Sequence, residues 1–314
     1  MGSCLTAALA ACPGAGLTSG RMAVGSSASI AGDAGPRVAG PSGASVATWD
    51  LGGSGPELLF LHATGFHGRC YGPLARELAD RFHCWALDFP GHGESDPYPD
   101  GRYDWARFRE DLASVMEELG LDRPHAFGHS LGGAVAVLAE ASRPRLLSAM
   151  ALWEPIVVGP SWVPSGGHGD LSGLARRRRP RFHSKADALA NYAAKPPFSR
   201  LRADALLAYV EGGLRSAADG GVALACSPET EARVYEGAFG AGTPDGLDKV
   251  DAPVHLLCGE DHPAIGPAHL HRIAGRLRRS TVTTVPGLGH LGPLECPQLV
   301  AATITRALLD NDAR

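Results

Sequence analysis

The sequence lacks the features that would mark a membrane protein or a nucleic-acid-binding protein. None of its apolar runs approaches the roughly 18 residues that a membrane-spanning helix needs. Neither sign of charge dominates, because 29 basic residues face 33 acidic ones and the net charge is −4. No global excess of positive charge attracts the chain to nucleic acid or to an anionic membrane. We therefore expect neither as a partner.

Paired cysteine motifs are also absent. The seven cysteines are scattered along the chain, and they are Cys4, Cys12, Cys70, Cys84, Cys226, Cys258 and Cys296. No two of them have the C-x-x-C spacing of a zinc or redox site, so we expect no metal centre of that kind. A scattered, odd-numbered set is typical of a reducing compartment, which indicates a cytoplasmic protein.

The N-terminal segment has little apolar bulk. From Pro13 to about Ala44 it consists largely of Gly, Ala and Ser, a composition that favours disorder. The preceding apolar stretch, from Cys4 to Cys12, is short for a secretion signal, and no Lys or Arg comes before it. We predict that residues 1–44 form a disordered leader rather than an export signal.

Beyond the leader, strand patterns alternate with helix patterns. Continuous apolar or β-branched runs predict strands at residues 45–50, 57–62, 82–88, 124–128 and 146–153. Helical spacing of apolar residues predicts helices between them at residues 71–79, 105–119 and 131–141. This alternation predicts an α/β fold with a doubly wound, mostly parallel sheet and helices on both of its faces.

The alternation is interrupted once. Residues 155–246 are irregular and contain one good helical stretch, from Arg202 to Leu214. We interpret residues 155–246 as a helical cap, or lid, inserted after the sixth main strand of a core formed by residues 45–154 and 247–314. A basic run within the cap, from Arg176 to Arg179, is interpreted as a solvated face rather than a binding patch.

The strongest chemical signal is Gly128-His-Ser-Leu-Gly132, which joins a predicted strand to a predicted helix. A serine in this pattern sits on a tight, strained turn that lifts its hydroxyl away from the sheet. Glycines two residues to either side let the strand and the helix approach closely. The start of the helix also directs free N–H groups toward developing negative charge. We predict that Ser130 is a nucleophile.

A nucleophilic serine needs a base, because an alcohol attacks poorly until its proton is removed. His290 ends the segment Pro286-Gly-Leu-Gly-His290, which follows a further predicted strand at residues 280–285. Histidine titrates in the useful pH range, and the turn glycines would let its ring swing over the sheet edge. We predict that His290 is the general base and that His129, beside the nucleophile, lines the substrate pocket.

The oxyanion formed by such an attack needs two N–H donors. The residue after the nucleophile, Leu131, supplies one of them. The loop His62-Ala-Thr-Gly-Phe66, which closes a predicted strand, supplies the other, and we assign that donor to Thr64. We expect Ala63 and Phe66 to line the pocket and His62 to brace the loop.

Three segments together make the sequence resemble the α/β-hydrolase family. They are Asp88-Phe-Pro-Gly-His-Gly-Glu-Ser95, Gly128-His-Ser-Leu-Gly132 and Gly289-His290, and the resemblance spans roughly residues 46 to 310. It implies the fold of that family, a Ser–His–acid catalytic triad with an oxyanion hole, and no cofactor. It is a poor guide to the substrate, which the shape of the cap decides.

The resemblance leaves the acid of the triad open. The family usually places an aspartate three residues after the glycine that closes the seventh strand, which is predicted here at residues 253–258. His262 holds that position in this sequence, and Asp261 precedes it. A loop shifted by one residue would let Asp261 serve. Some members instead use an acid after the sixth strand, which corresponds to Glu154. Asp261 is the first candidate and Glu154 the alternative, and the remaining alternatives are Glu260 or no acid at all.

These residues predict an esterase-like serine hydrolase. Its substrate would be a small molecule with an ester, thioester or lactone group, cleaved through an acyl-enzyme at Ser130. Trp153 is expected in the substrate pocket under the cap. The same residues fit a cofactor-free haloperoxidase, a C–C bond hydrolase or a cyclase. A rival of another class is a catalytically weak binding protein with a hydrolase fold, supported only by the displaced acid.

Overall fold

The computed structural model describes residues 32–157, 170–218, 220–240, 246–260 and 265–309. Its strands are β1 (Asp33–Ala34), β2 (Val38–Ala39), β3 (Ser45–Val46), β4 (Thr48–Gly53), β5 (Glu57–Leu61), β6 (His83–Leu87), β7 (His125–His129), β8 (Met150–Trp153), β9 (Arg181–Phe182), β10 (Leu214–Ser216), β11 (Val222–Leu224), β12 (Val254–Gly259) and β13 (Ser280–Val285). Eight of them form a central sheet in the order β1-β4-β6-β5-β7-β8-β12-β13. Every neighbouring pair from β6 to β13 is parallel. The predicted α/β class is confirmed.

The helices among the described residues alternate with these strands. They are α1 (Gly72–Leu78), α2 (Trp105–Glu118), α3 (Leu131–Ser142), α4 (Leu171–Arg176), α5 (Lys185–Ala193), α6 (Ala203–Gly213), α7 (Pro228–Gly240), α8 (Pro267–Ala274), α9 (Gly292–Glu295) and α10 (Pro297–Leu309). Short 3₁₀ helices occur at Gly68–Tyr71, Phe198–Arg200 and Leu247–Lys249.

Alternate side chains of the central strands enter two separate hydrophobic cores. In β5, Leu59 and Leu61 pack on one face of the sheet, while Leu58 and Phe60 pack on the other. Helices α2, α3 and α8 cover the first face, and α1 and α10 cover the second. The β5 sequence is a continuous apolar run because both of its faces are buried.

The order of the strands determines where the site forms. β5 lies between β6 and β7, so the connections that follow β5 and β7 lead to helices on opposite faces of the sheet. A crevice opens at the carboxyl ends of the strands where connections diverge in this way. The loop of residues 62–67 and the turn at Ser130 meet at this crevice, since the Gly132 N–H donates to the carbonyl of His62.

The segment predicted as a cap carries more regular structure than its sequence indicates. Helix α6 matches the predicted helix, but α4, α5, α7 and an antiparallel sheet in the order β10-β11-β9 accompany it. The additional helices are marked by side-chain caps rather than by long apolar periodicity. The Asp170 carboxylate accepts the N–H of Gly173 at the start of α4. The Ser184 hydroxyl accepts the N–H of Asp187 at the start of α5. The cap boundaries stay a prediction.

Part of the predicted leader is ordered. β1 pairs with β4, and β2 pairs with β3, so the prediction of disorder for residues 1–44 is corrected at residues 33–39. The side chain of Val38 is buried in one of the two cores. Strands of two residues leave no periodic pattern in a sequence, which is why they escaped prediction. Residues 1–31 lie outside the described part of the chain.

The cysteines are not all alike. Cys70, Cys84, Cys226 and Cys258 carry buried free thiols, whereas Cys296 is disulfide-bonded. The cytoplasmic location inferred from the cysteine pattern therefore stays a prediction. Throughout the described ranges, no helix is long and apolar enough to cross a membrane.

Candidate active site

Ser130 lies between β7 and α3 in a backbone conformation that L-residues rarely adopt, with φ 54° and ψ −111°. Its N–H donates to the carbonyl of Trp153 over 3.0 Å. A Cβ atom at Gly132 would lie 2.0 Å from the carbonyl oxygen of Leu61. Gly128 is crowded in the same way, because its Cβ atom would come within 2.6 Å of backbone in α3. Only glycine fits at either position, as the sequence pattern indicated.

Helix α3 begins with Leu131, directly after Ser130. The first N–H groups of a helix have no acceptor inside the helix, so the Leu131 N–H is suited to donate to a ligand oxygen. The next residue, Gly132, donates to the carbonyl of His62 over 3.1 Å. This bond ties the start of α3 to the loop after β5, which is the loop predicted to carry the second oxyanion donor.

That loop is braced by His62. Its Nε2 accepts the N–H of Phe89 over 2.8 Å, so Nδ1 carries the proton and donates to the carbonyl of Ala63, also over 2.8 Å. Burial lowers the pKa of His62 to about 3, which keeps the ring neutral. The expected bracing role of His62 agrees with this geometry. Thr64 follows on the same loop and is buried, and its role as an oxyanion donor stays a prediction.

A buried tyrosine links this loop to the nucleophile turn. The Tyr71 hydroxyl oxygen accepts the N–H of Ala63 over 3.3 Å and lies 2.8 Å from Nδ1 of His129. Burial lowers the pKa of His129 well below its usual range, and the neighbouring His290 lowers it further. The ring of His129 is therefore neutral. No motif in the sequence pointed to Tyr71, because the contact depends on α1 folding back against the sheet.

Glu154 is the acid that the described residues bring to His290. Its Oε2 lies 2.6 Å from Nδ1 of His290, and its Oε1 accepts the N–H of Gly259 over 2.9 Å. The side chain is fully buried, and the backbone φ of +43° is rare for a residue other than glycine. Because a carboxylate only accepts, Nδ1 carries the proton in the neutral ring and Nε2 does not, while the role of His290 as a general base stays a prediction. Asp261 lies outside the described residues.

His290 is held from its backbone side as well. It follows β13, and its carbonyl accepts the indole N–H of Trp153 over 3.0 Å. The side chain of His290 is 28% exposed, so part of the imidazole is accessible to solvent. Trp153 is fully buried and touches this loop. It therefore supports His290, while its predicted place in the wall of the pocket stays a prediction.

Phe66, predicted to line the pocket, forms the contact between the loop after β5 and the cap. Its ring stacks on Phe198 with the centroids 6.0 Å apart and lies 5.1 Å from the ring of Tyr209. Ala63 is buried beside it. The predicted place of Ala63 and Phe66 in the wall of a substrate pocket stays a prediction.

No cluster of three or more His, Cys, Asp or Glu side chains that could hold a metal ion occurs within the described ranges. The histidines at the site are engaged elsewhere. His62 bonds to backbone groups, His129 to Tyr71, and His290 to Glu154. Each of these three histidines therefore has a hydrogen-bond partner within the described part of the chain.

The fold and this arrangement agree with a comparison of the whole chain. A family model described as the alpha/beta hydrolase family matches residues 58–303. The chain belongs to the α/β-hydrolase family. The matched range begins in β5 and ends in α10, so it includes every strand of the parallel part of the sheet and every residue of the candidate site.

Several known hydrolases are similar to this chain. A 2-(acetamidomethylene)succinate hydrolase from Mesorhizobium japonicum is 29% identical over 256 residues, which are 81% of this chain and 88% of the relative. A bifunctional esterase/perhydrolase from Acinetobacter calcoaceticus is 27% identical over 249 residues, 74% of this chain and 82% of the relative. The crystal structure of E-2-(acetamidomethylene)succinate hydrolase aligns with a TM-score of 0.73 and 26% identity, covering 87% of this chain and 98% of that one. These relatives support a hydrolase function for this family member.

Proposed function

We propose that this α/β-hydrolase is a serine hydrolase that cleaves an ester, thioester or lactone through an acyl-enzyme at Ser130. One observation carries the proposal, the 2.6 Å contact between Oε2 of Glu154 and Nδ1 of His290. Such a contact orients the imidazole and fixes its tautomer, as a base for a serine requires. The similarity to an esterase/perhydrolase supports an ester as the substrate group.

In the first half of the reaction, the Oγ atom of Ser130 attacks the carbonyl carbon of the substrate. The hydroxyl proton passes to Nε2 of His290, and Glu154 stabilises the imidazolium that results. The carbonyl oxygen becomes an oxyanion, which accepts hydrogen bonds from the N–H groups of Leu131 and Thr64. Each such donor contributes about 10²–10³ in rate.

In the second half, the tetrahedral intermediate collapses and the leaving group takes the proton from Nε2 of His290. An acyl-enzyme on Ser130 remains. Water then attacks its carbonyl carbon while His290 accepts a proton from that water, and the same two donors hold the second oxyanion. The acid is released and Ser130 regains its proton.

A second substrate class is favoured by one comparison. The relative that aligns with 81% of this chain is named a 2-(acetamidomethylene)succinate hydrolase, and its substrate contains an acetamide group. Attack of Ser130 on an acetamide carbonyl would give an acetyl-enzyme. His290, protonated in the first step, would supply the proton that the departing nitrogen needs.

The first experiment compares wild type with Ser130→Ala on p-nitrophenyl esters of increasing acyl length and on 2-(acetamidomethylene)succinate. We expect the substitution to lower kcat at least about 10³-fold on whichever substrate wild type accepts. The Tm and the circular dichroism spectrum should not change. Equal turnover by the two proteins would refute the mechanism.

A fluorophosphonate probe, which labels nucleophilic serines, separates a selective enzyme from a binding protein. Labelling at Ser130 without turnover of either substrate class would support an enzyme with a narrower substrate. Folded wild type that resists labelling would favour the binding protein with a hydrolase fold. Halogenation of a phenol in the presence of peroxide and acetate would instead favour the cofactor-free haloperoxidase.

A further inference from the structure

A buried ion pair in the cap lies outside the catalytic groups described so far. The Nη1 atom of Arg178, in the turn after α4, donates to Oε2 of Glu231 in α7. Its Nη2 atom donates to the hydroxyl oxygens of Tyr209 and Tyr192 over 2.7 and 3.1 Å. Only 20% of the Arg178 side chain and 8% of the Glu231 side chain are exposed. The interpretation of the basic run as a solvated face is therefore corrected for Arg178.

This ion pair rests directly on the loop that carries Thr64. A Cβ atom added to Gly65 would lie 2.9 Å from Oε1 of Glu231 and 3.3 Å from Nη1 of Arg178. Gly65 also has a φ of +79°, which favours glycine. The loop backbone and the cap charges thus touch at the residue next to the proposed oxyanion donor, with no side chain between them.

Tyr209 extends the contact along the same loop. Its ring lies 5.1 Å from that of Phe66, and its carbonyl accepts Nε2–H of His67 over 3.1 Å. Its hydroxyl belongs to the Arg178 cluster. One residue of α6 therefore connects the ion pair with two consecutive residues of the loop.

Other hydrogen bonds and an ion pair hold the cap against the core, so the cap can keep the loop in a fixed position. The Arg202 N–H donates to the carbonyl of Leu294 over 2.9 Å, and its side chain pairs with Glu77 over 3.2 Å. The Arg215 guanidinium donates to the carbonyl of Ser95 over 3.1 Å. These contacts attach both ends of α6 to the core.

We propose that Arg178, Glu231 and Tyr209 are positioning residues for the loop of residues 62–68, and that they hold the Thr64 N–H where the oxyanion forms. The inference rests on the proposed function of Ser130. A buried ion pair is a weak source of stability, because apolar residues of similar volume often serve as well. The contact of this ion pair with the loop indicates that the pair positions the loop rather than stabilising the fold.

The cleanest test compares Tyr209→Phe with Tyr192→Phe. Each change removes one hydroxyl that accepts from the same Arg178 nitrogen. The Tyr209 ring also packs against Phe66, so its hydroxyl links the loop to Arg178. For Tyr209→Phe we expect kcat to fall about 3- to 10-fold with KM changed less than about twofold, because a misplaced donor weakens transition-state binding alone. Tyr192→Phe should keep kcat within about twofold of wild type.

A second variant replaces the ion pair as a unit, Arg178→Met with Glu231→Leu, so that no buried charge is left unpaired. We expect a folded protein whose kcat is lowered about 10- to 100-fold, up to the value of one oxyanion donor. Hydrogen–deuterium exchange of the peptide covering residues 62–70 should speed up at least about 10-fold, while peptides of α3 keep their protection.

Native exchange in the loop together with native kcat in the double variant would overturn the proposal. So would equal losses of kcat in Tyr209→Phe and Tyr192→Phe, which would indicate a general effect on the cap. Failure of the proposed function is recognised separately, because wild type would then show no turnover that depends on Ser130. The exchange measurement needs no turnover and would still decide whether the cluster positions the loop.

Discussion

Oε2 of Glu154 lies 2.6 Å from Nδ1 of His290, although 136 residues separate them in the chain. Glu154 directly follows β8, whereas the family usually places its acid after β12, the neighbouring strand. Because β8 and β12 are adjacent and parallel, a longer carboxylate from β8 reaches the same imidazole. The second oxygen of Glu154 accepts the N–H of Gly259 at the end of β12. Glu154 is therefore hydrogen-bonded to the strand after which the family usually places its acid.

The first prediction concerns this acid. Glu154→Gln should lower kcat about 10³- to 10⁴-fold, because an amide no longer fixes the tautomer of His290. Asp261→Asn is the matched variant and should keep most of the activity. Both are measured on the substrate that wild type hydrolyses best. Collapse of Asp261→Asn with survival of Glu154→Gln would transfer the role to Asp261.

The second prediction concerns the support of His290. Trp153→Phe removes the indole N–H that donates to the His290 carbonyl. We expect kcat to fall about tenfold, because the imidazole of His290 would move away from its position as the base. Trp105→Phe is the control, since it removes a buried indole bond of similar length, 2.8 Å to the carbonyl of Val234, that does not involve His290. Each change should cost about 1–3 kcal/mol in urea unfolding. An equal effect on kcat would argue against a specific role for Trp153.

The third prediction concerns the nucleophile turn. Gly132→Ala would place Cβ 2.0 Å from the carbonyl oxygen of Leu61, so the protein should lose at least about 2 kcal/mol of stability. At Gly275, φ is −63° and the nearest atoms to an added Cβ are 3.6 Å away. Gly275→Ala should therefore be neutral or slightly stabilising. Chemical unfolding of both variants decides, and equal stability would contradict the close approach described for Gly132.

The fourth prediction concerns the dependence of stability on pH. Burial lowers the pKa values of His62 and His92 to about 3, whereas an unfolded histidine titrates near 6.5. Between these values the unfolded chain binds protons that the folded chain does not. The free energy of unfolding should therefore fall as the pH drops from about 6.5 toward 3, by up to about 1.4 kcal/mol per pH unit for each histidine.

His92→Gln tests this linkage. The variant should lose about 1.4 kcal/mol per pH unit from the slope of stability against pH in the acid range. Urea unfolding of variant and wild type at about pH 7 and about pH 5 gives the two slopes. Equal slopes of stability against pH in the variant and in wild type would mean that folding does not keep His92 neutral.

Local patterns predicted the scaffold and the candidate nucleophile, Ser130. Apolar runs such as that of β5 indicated strands buried on both faces, and Gly128-His-Ser-Leu-Gly132 indicated the strained turn at Ser130. Both depend on residues close together in the chain, whose spacing is visible in one sequence. The short strands near Val38 and the capped helices of the cap were missed because neither repeats over enough residues to form a pattern.

Only the tertiary structure showed which acidic and basic side chains contact each other near Ser130. Glu154 and His290 are 136 residues apart, and Arg178 and Glu231 are 53 apart, so no spacing rule connects either pair. The sequence supplied Glu154 and Asp261 as alternative acids, and one residue of difference in a loop is too small a signal to choose between them. The choice depends on which strand ends lie side by side and how far each side chain reaches, quantities that exist only once the sheet has formed.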